Sequence, residues 1–268
     1  MMGRVLIIAG SDSGGGAGIQ ADIKTVTALK GYAATAITAL TAQNTLGVHG
    51  VHGIDPDFIA QQIQVVLQDI GADALKTGML HSPAVIETVA GELRDYSNRI
   101  PLVLDPVMVA QSGANLLEPE AVESLKENLL PLADVLTPNV PEAEKLTGME
   151  ITSPEQMQTA ARSLLEMGPR SVLLKGGHLE GAILYDVLAT SEGVEVFSDK
   201  RIETRQTHGT GCTLASAVAT GLAQGLTRSQ AVARARAYLR RALKTPPGYG
   251  QGEGGVDHAH TVGVFQMD

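Results

Sequence analysis

Short, nearly uninterrupted apolar runs alternate with longer amphipathic stretches along the whole chain. Residues 4–10, 34–43, 74–79, 101–106, 134–139 and 171–177 are apolar at almost every position, the pattern of strands buried on both faces, as in a parallel sheet. Helical segments lie between them, and three carry explicit start signals. Asp55-Pro56, Ser82-Pro83 and Ser153-Pro154 each put a capping oxygen before a proline that is harmless at the first helical position. Residues 183–190 and 194–198 flank a Ser-Glu-Gly turn and predict a hairpin at a sheet edge. Residues 209–225 and 227–243 predict two late helices, the first Ala-rich and apolar, the second with an Arg-rich face, and 245–255 a Gly- and Pro-rich loop. Strand followed by helix, repeated without an internal repeat or a linker, predicts one α/β domain over residues 1–268.

Composition narrows what such a domain can do. The single cysteine among 268 residues excludes a disulfide framework and a thiol-based zinc site. A formal net charge of −9 argues against a nucleic-acid partner, whose phosphates are bound by clustered Lys and Arg. The opening MMGRVLIIAG has too short an apolar run for a secretory signal, and no later stretch reaches the roughly 18 apolar residues of a membrane span. The expectation is a cytoplasmic protein acting on a small molecule, away from membranes. Thirty glycines, clustered rather than periodic, mark where to look for chemistry.

Ligands of open parallel sheets bind beyond the carboxyl ends of the strands. There the chain places Gly10-Ser11-Asp12-Ser13-Gly14-Gly15-Gly16-Ala17-Gly18, Gln43-Asn44, Gly78-Met79, Asp105-Pro106, Pro138-Asn139 with Glu142, and Lys175-Gly176-Gly177-His178. Acids, amides, a lysine and glycines on one edge suit a Mg-nucleotide and a small polar acceptor, because phosphoryl transfer depends on charge neutralisation and positioning. The glycine loop is no P-loop, since Gly-Lys-[Ser/Thr] occurs nowhere. As a dinucleotide fingerprint it lacks an acidic residue between Asp22 and Asp55 to hold a ribose. Close approach of backbone to a ligand fits it better than a plain turn. Thr207-His208-Gly209-Thr210-Gly211-Cys212-Thr213 opens an apolar helix. Free N–H groups there form an anion site, and their field is expected to lower the thiol pKa of Cys212 from its usual ~8.5.

Seven segments in order are similar to the hydroxymethylpyrimidine and phosphomethylpyrimidine kinases of thiamine biosynthesis, a branch of the ribokinase-like family. They are GSDSGGGAGIQAD (10–22), TAQNT (41–45), KTGML (76–80), LDPVM (104–108), TPNVPEAEKL (137–146), LLKGGH (173–178) and THGTGCTLASA (207–217). The resemblance implies a three-layer α/β/α sandwich with a mostly parallel sheet, a homodimer, and ATP with Mg²⁺ as cofactors. It also implies two successive phosphorylations, of 4-amino-5-hydroxymethyl-2-methylpyrimidine and of its monophosphate. By that resemblance Gln43 holds the aminopyrimidine edge, and Ala17, Asp22, Met79 and Val107 line the pocket. Asp105 and Glu142 organise Mg²⁺ through waters, Asn139 and Lys175 contact phosphates, and Gly209, Thr210, Gly211 and Cys212 form the catalytic anion hole. Cys212 replaces the aspartate base of related sugar kinases. Arg236 stands where a nucleotide-side lysine is expected, and the tail GYGQGEGGVDH lacks the proline usual before its end.

Blander readings stand beside these. Asp22 fits a solvated helix face and Met79 a core. His49 and His52 read as hairpin residues, and His258 and His260 have no third metal ligand near them. The remaining arginines of 234–241 read as a solvated face. Competing functions are a pyridoxal or pyridoxine kinase, a pyrimidine-binding sensor without chemistry, and a cysteine hydrolase pairing Cys212 with His208.

Overall fold

The computed structural model describes residues 2–109, 113, 116–118, 120–264 and 266. Its first four strands are β1 (Arg4–Asp12), β2 (Tyr32–Asn44), β3 (Gly47–Gly53) and β4 (Ala74–Thr77). They are followed by β5 (Leu102–Leu104), β6 (Val135–Leu136), β7 (Ser171–Lys175), β8 (Ile183–Thr190) and β9 (Gly193–Lys200). All join one sheet in the order β3-β2-β1-β4-β5-β6-β7-β8-β9. The six strands from β2 to β7 in that order run parallel, and β3, β8 and β9 are antiparallel additions at the two edges. His49 and His52 lie on β3, in the hairpin their sequence predicts. Strands β5 and β6 are shorter than their apolar runs, because Pro106 and Pro138 have no N–H to extend the ladder. The residues freed there include Asp105 and Asn139.

The helices are α1 (Gly18–Ala28), α2 (Pro56–Asp69), α3 (Pro83–Leu93), α4 (Ala121–Ser124), α5 (Val140–Thr147), α6 (Pro154–Leu165), α7 (Thr210–Ala223) and α8 (Arg228–Ala242). All three predicted caps form: Asp55, Ser82 and Ser153 accept from the N–H groups of Asp57, Val85 and Gln156, each with proline in the first turn. Alternation along β1 divides the core. Val5 and Ile7 pack with Val26, Val218 and Val232 of α1, α7 and α8. Leu6 and Ile8 face the other way, onto Ile59, Ile86 and Leu164 of α2, α3 and α6. The result is helix, sheet, helix: the α/β fold that the sequence pattern predicts, in the α/β/α sandwich that the resemblance implies. Strand order reverses beside β1, and the carboxyl ends of the parallel strands open there into a cleft.

Candidate active site

A cleft of about 520 Å³ runs along those strand ends, and a second cavity of about 370 Å³ adjoins it. The two share Asn139, Lys175, His178, Thr210 and Gly211, so Lys175 and the start of α7 sit at their junction. The second cavity is walled further by Leu184, Ile202, Leu214, Leu239 and Leu243, apolar surfaces suited to a flat ring.

At the junction, Gly209 precedes α7 with φ +77°, and a Cβ there would lie 1.9 Å from the carbonyl oxygen of Gly16. Only glycine fits, and the close approach locks the two glycine loops together. No side chain caps α7; Thr210 N donates to Thr207 O at 3.3 Å, and the N–H groups of Gly211 and Cys212, residues that line the cleft, remain for a ligand. A side chain at Gly211 would come within 3.3 Å of Lys175 Nζ and 3.6 Å of Asp105 Oδ2, so charge converges on this helix end. Lys175 donates to Asp105 Oδ1 at 2.9 Å, and Thr137 Oγ1 donates to the same oxygen at 2.8 Å. Burial works against the Asp105 carboxylate, yet Lys175 and Lys76 hold its pKa below the usual range. Burial likewise opposes the Lys175 ammonium, and Asp105 with Glu142 outweighs it and raises that pKa.

Asn139 and Glu142 form a capping box on α5. Asn139 Oδ1 accepts from Glu142 N at 2.9 Å, and Glu142 Oε2 accepts from Asn139 N at 2.8 Å. The box fixes both residues at the start of α5, where both line the cleft, and Met108 N–H also reaches the Glu142 carboxylate. Burial pushes the Glu142 carboxyl up to about 7, with Asp105 adding and Lys175 opposing.

Of the predicted residues, Ala17, Gln43, Met79, Asp105, Val107, Asn139, Glu142, Lys175, Gly209, Thr210, Gly211 and Cys212 line the cleft. Asp22 does not. It is fully buried behind the cleft wall, where Lys76 Nζ donates to both its oxygens at 2.9 Å and Ser216 donates to Oδ1 at 2.6 Å. Lys76, rather than Asp22, reaches the cleft. Burial opposes the Lys76 ammonium, but Asp22 foremost, with Cys212 and Asp105, raises its pKa, so it stays charged. Arg236 borders the second cavity, but Asp186 and Asp199 take its guanidinium at 2.7 and 3.0 Å, and its remaining Nη2 is buried. Asp186 in turn accepts from Gly176 N at 3.0 Å, so Arg236 acts on the loop after β7 rather than offering itself to a ligand.

One electrostatic expectation changes. The Cys212 thiol is not activated: burial pushes it up to about 11, with Asp22 and Asp105 adding and Lys76 opposing. In the glycine loop, the N–H groups of Gly14, Gly16 and Ala17 are taken up within the chain. All three donate to the Asp12 carboxylate at 2.8–3.0 Å, so the glycine loop wraps its own acid. His208 Nε2 lies 2.9 Å from Asp12 Oδ2, and among the described residues no hydrogen bond joins it to Cys212. That leaves a thiol hydrolase without its base. Burial favours a neutral Asp12, but His208 and the loop N–H groups bring its pKa below the usual value. Lys76, His208, Asp12, Lys145 and Glu253 also line the cleft. The first four lie inside segments that carry the resemblance, whereas Glu253 sits in the Gly-rich tail loop, where the sequence singles out no residue.

The model of the phosphomethylpyrimidine kinase family matches residues 12–257. The chain belongs to this family. The chain is 46% identical to the hydroxymethylpyrimidine/phosphomethylpyrimidine kinase of Rhizobium meliloti, over 97% of this chain and 98% of that one. It is 52% identical to the thiamine biosynthesis bifunctional protein ThiED of Geobacter sulfurreducens, over 96% of this chain, and spans about half (52%) of that longer protein. An ADP complex of Bacillus subtilis pyridoxal kinase superposes with a TM-score of 0.88 at 38% identity, covering 97% of this chain and 98% of that one. Like these kinases of the phosphomethylpyrimidine type, the chain is a kinase, and its fold is ribokinase-like.

Proposed function

We propose that this chain, acting as a single ribokinase-like domain, transfers the terminal phosphoryl group of ATP to 4-amino-5-hydroxymethyl-2-methylpyrimidine. A second transfer to the monophosphate then gives the diphosphate for thiamine biosynthesis. The observation that carries the reading is the uncapped start of α7 facing Lys175 and Asp105 where two cavities meet. An acceptor in the larger cleft and a nucleotide in the second would bring their reacting oxygens to that point. The helix N–H groups and Lys175 stabilise charge developing on the transferred group. Gln43 holds the ring edge, Ala17, Met79 and Val107 shape its pocket, and Asn139 and Lys175 contact phosphates.

The donor set fits Mg²⁺ only together with nucleotide. Among the described residues no cluster of three ligating side chains exists, and the Asp105 carboxylate is already paired with Lys175. Asp105 and Glu142 would hold the hydrated ion against bound phosphates, where it supplies charge neutralisation. No described helix is long and apolar enough to cross a membrane; dependence on ATP favours the cytoplasm. Leu46 and Val51, at and on the edge strand β3, and Phe58 and Val65 of α2 are exposed apolar side chains, which a homodimer would cover. Light scattering is expected to give twice 28.0 kDa, and a monomer mass would reject it.

Likeness to pyridoxal kinase supports a second reading, phosphorylation of a pyridoxal-type hydroxymethyl group. The two are separated by incubating the protein with ATP, Mg²⁺ and each acceptor and identifying products by mass. Mono- and diphosphate of the aminopyrimidine are expected, and turnover of pyridoxal alone would reverse the assignment. No turnover of either acceptor would leave only a binding sensor, against which Asp105, Glu142, Lys175 and Cys212 speak.

A further inference from the structure

Gln43 stands between two groups that together fix which way its amide faces. On one side is His208, whose Nε2 lies 2.9 Å from Asp12 Oδ2 and 3.4 Å from the amide nitrogen of Gln43. On the other is Thr41, whose hydroxyl lies 3.0 Å from the carbonyl oxygen of Ser11 and 3.2 Å from Gln43 Oε1.

The proton inventory does not allow both contacts in that orientation. Asp12 receives three backbone N–H groups and is a pure acceptor, so the histidine nitrogen facing it must carry a proton. The amide NH₂ of Gln43 would then point a donor at a donor. On the other side, the single proton of Thr41 goes to the shorter contact, Ser11 O, which leaves Oε1 facing a lone pair. A half-turn of the terminal amide, which exchanges two atoms of nearly equal size, resolves both conflicts at once. Oε1 then becomes the second, more distant acceptor at 3.4 Å of the His208 Nε2–H that Asp12 Oδ2 takes at 2.9 Å, and the NH₂ donates to Thr41 Oγ1.

We propose that His208, held by Asp12, is a positioning residue that turns the oxygen of the Gln43 amide toward the phosphoryl end of the cleft and so selects the acceptor ring. His208 is the chain neighbour of Gly209, at the start of the anion hole, whereas Thr41 lies on β2. The amide therefore presents its acceptor on the side of the α7 turn and its donor on the side of β2. A ring with a donor on the carbon beside its hydroxymethyl group, then an acceptor, matches this order, as 4-amino-5-hydroxymethylpyrimidine does. A pyridoxal-type ring carries a carbonyl at the first of these positions and sets acceptor against acceptor. The inference rests on the reading that Gln43 holds the ring.

The test compares H208F, H208Q and Q43A, with KM measured separately for aminopyrimidine and ATP. A phenylalanine ring has no N–H to donate, so H208F is expected to raise the aminopyrimidine KM about tenfold, the scale of one mispaired hydrogen bond, with KM for ATP unchanged. Its preference for aminopyrimidine over pyridoxal should fall by a similar factor. H208Q, whose amide nitrogen reaches the position of Nε2, should restore both. Equal changes in the two KM values, or an unchanged acceptor preference, would overturn the proposal. If Q43A raises the aminopyrimidine KM and H208F does not, the role of His208 alone is lost; if Q43A has no effect, the reading of Gln43 fails with it. A measurement that needs no variant is the nitrogen NMR signature of His208 in the native protein, where a proton on Nε2 is required and a bare Nε2 is disqualifying.

Discussion

Cys212 lies within electrostatic reach of Lys76, Asp22 and Asp105, with its thiol at about 11. At neutral pH it is protonated, and the thiolate fraction rises about tenfold per pH unit until that value is approached. The two acceptors differ in how much they depend on a base. The first is an alcohol, while the second is a phosphate monoester that is largely ionised near neutral pH, its second pKa being about 6. Cys212→Ala is therefore expected to slow the first phosphorylation by about 10²-fold and the second by less than tenfold. In the native enzyme the first rate should climb with pH above neutrality while the second stays level. Equal losses in single-step assays would mean that the residue only shapes the anion hole. Sequence alone makes Cys212 an activated thiol because the helix-terminus field is legible there. Burial foremost, and then the Asp22 and Asp105 carboxylates, oppose it; both acids stand in segments the sequence marks, but their approach to the thiol and its burial have no local signature.

Helix α7 borders both cavities with its first turn and is anchored there by a segment some 45 residues further along the chain. Thr213 Oγ1 lies 2.9 Å from Nε2 of His258, and Tyr238 of α8 donates to the carbonyl oxygen of His258 at 2.7 Å. Burial pushes the His258 pKa down to about 4, with Lys24 and His260 adding and Asp257 opposing. The folded value lies below the unfolded one of about 6.5, so between those limits the unfolded chain binds the extra proton. Stability from this group is present above pH ~6.5 and lost as pH falls toward about 4. Thermal melting of His258→Asn should show a shallower decline across that window than the native protein, and parallel curves would exclude the linkage. Taking the difference between the two proteins removes the opposite slope from Glu142. The sequence marks α7 by its apolar run, but neither its anchor nor the buried state of Arg236 on α8. Helical periodicity tells which face an arginine occupies, and only tertiary packing brings Asp186 and Asp199 to meet it.

Across the molecule, the fold was readable because its strands are buried on both faces and its helices announce their starts. Most of the cleft was readable for a related reason, since strand ends in a parallel sheet share one edge whatever the loops do. Less readable were contacts between loops distant in sequence, and these close the site. The glycine loop after β1, the turn before α7 and the stretch from Gly252 to Gly255 meet around Gly16 and His208. His208 N donates to Gly254 O at 3.1 Å, Glu253 N donates to Thr45 O at 3.0 Å, and a side chain on Gly255 would approach Gly16 within 3.2 Å. The residues that close this wall stand some 200 positions apart in the chain, so the strands alone do not shape the cleft on that side: the segment from Gly252 to Gly255 has to dock before Gly16 and His208 are enclosed.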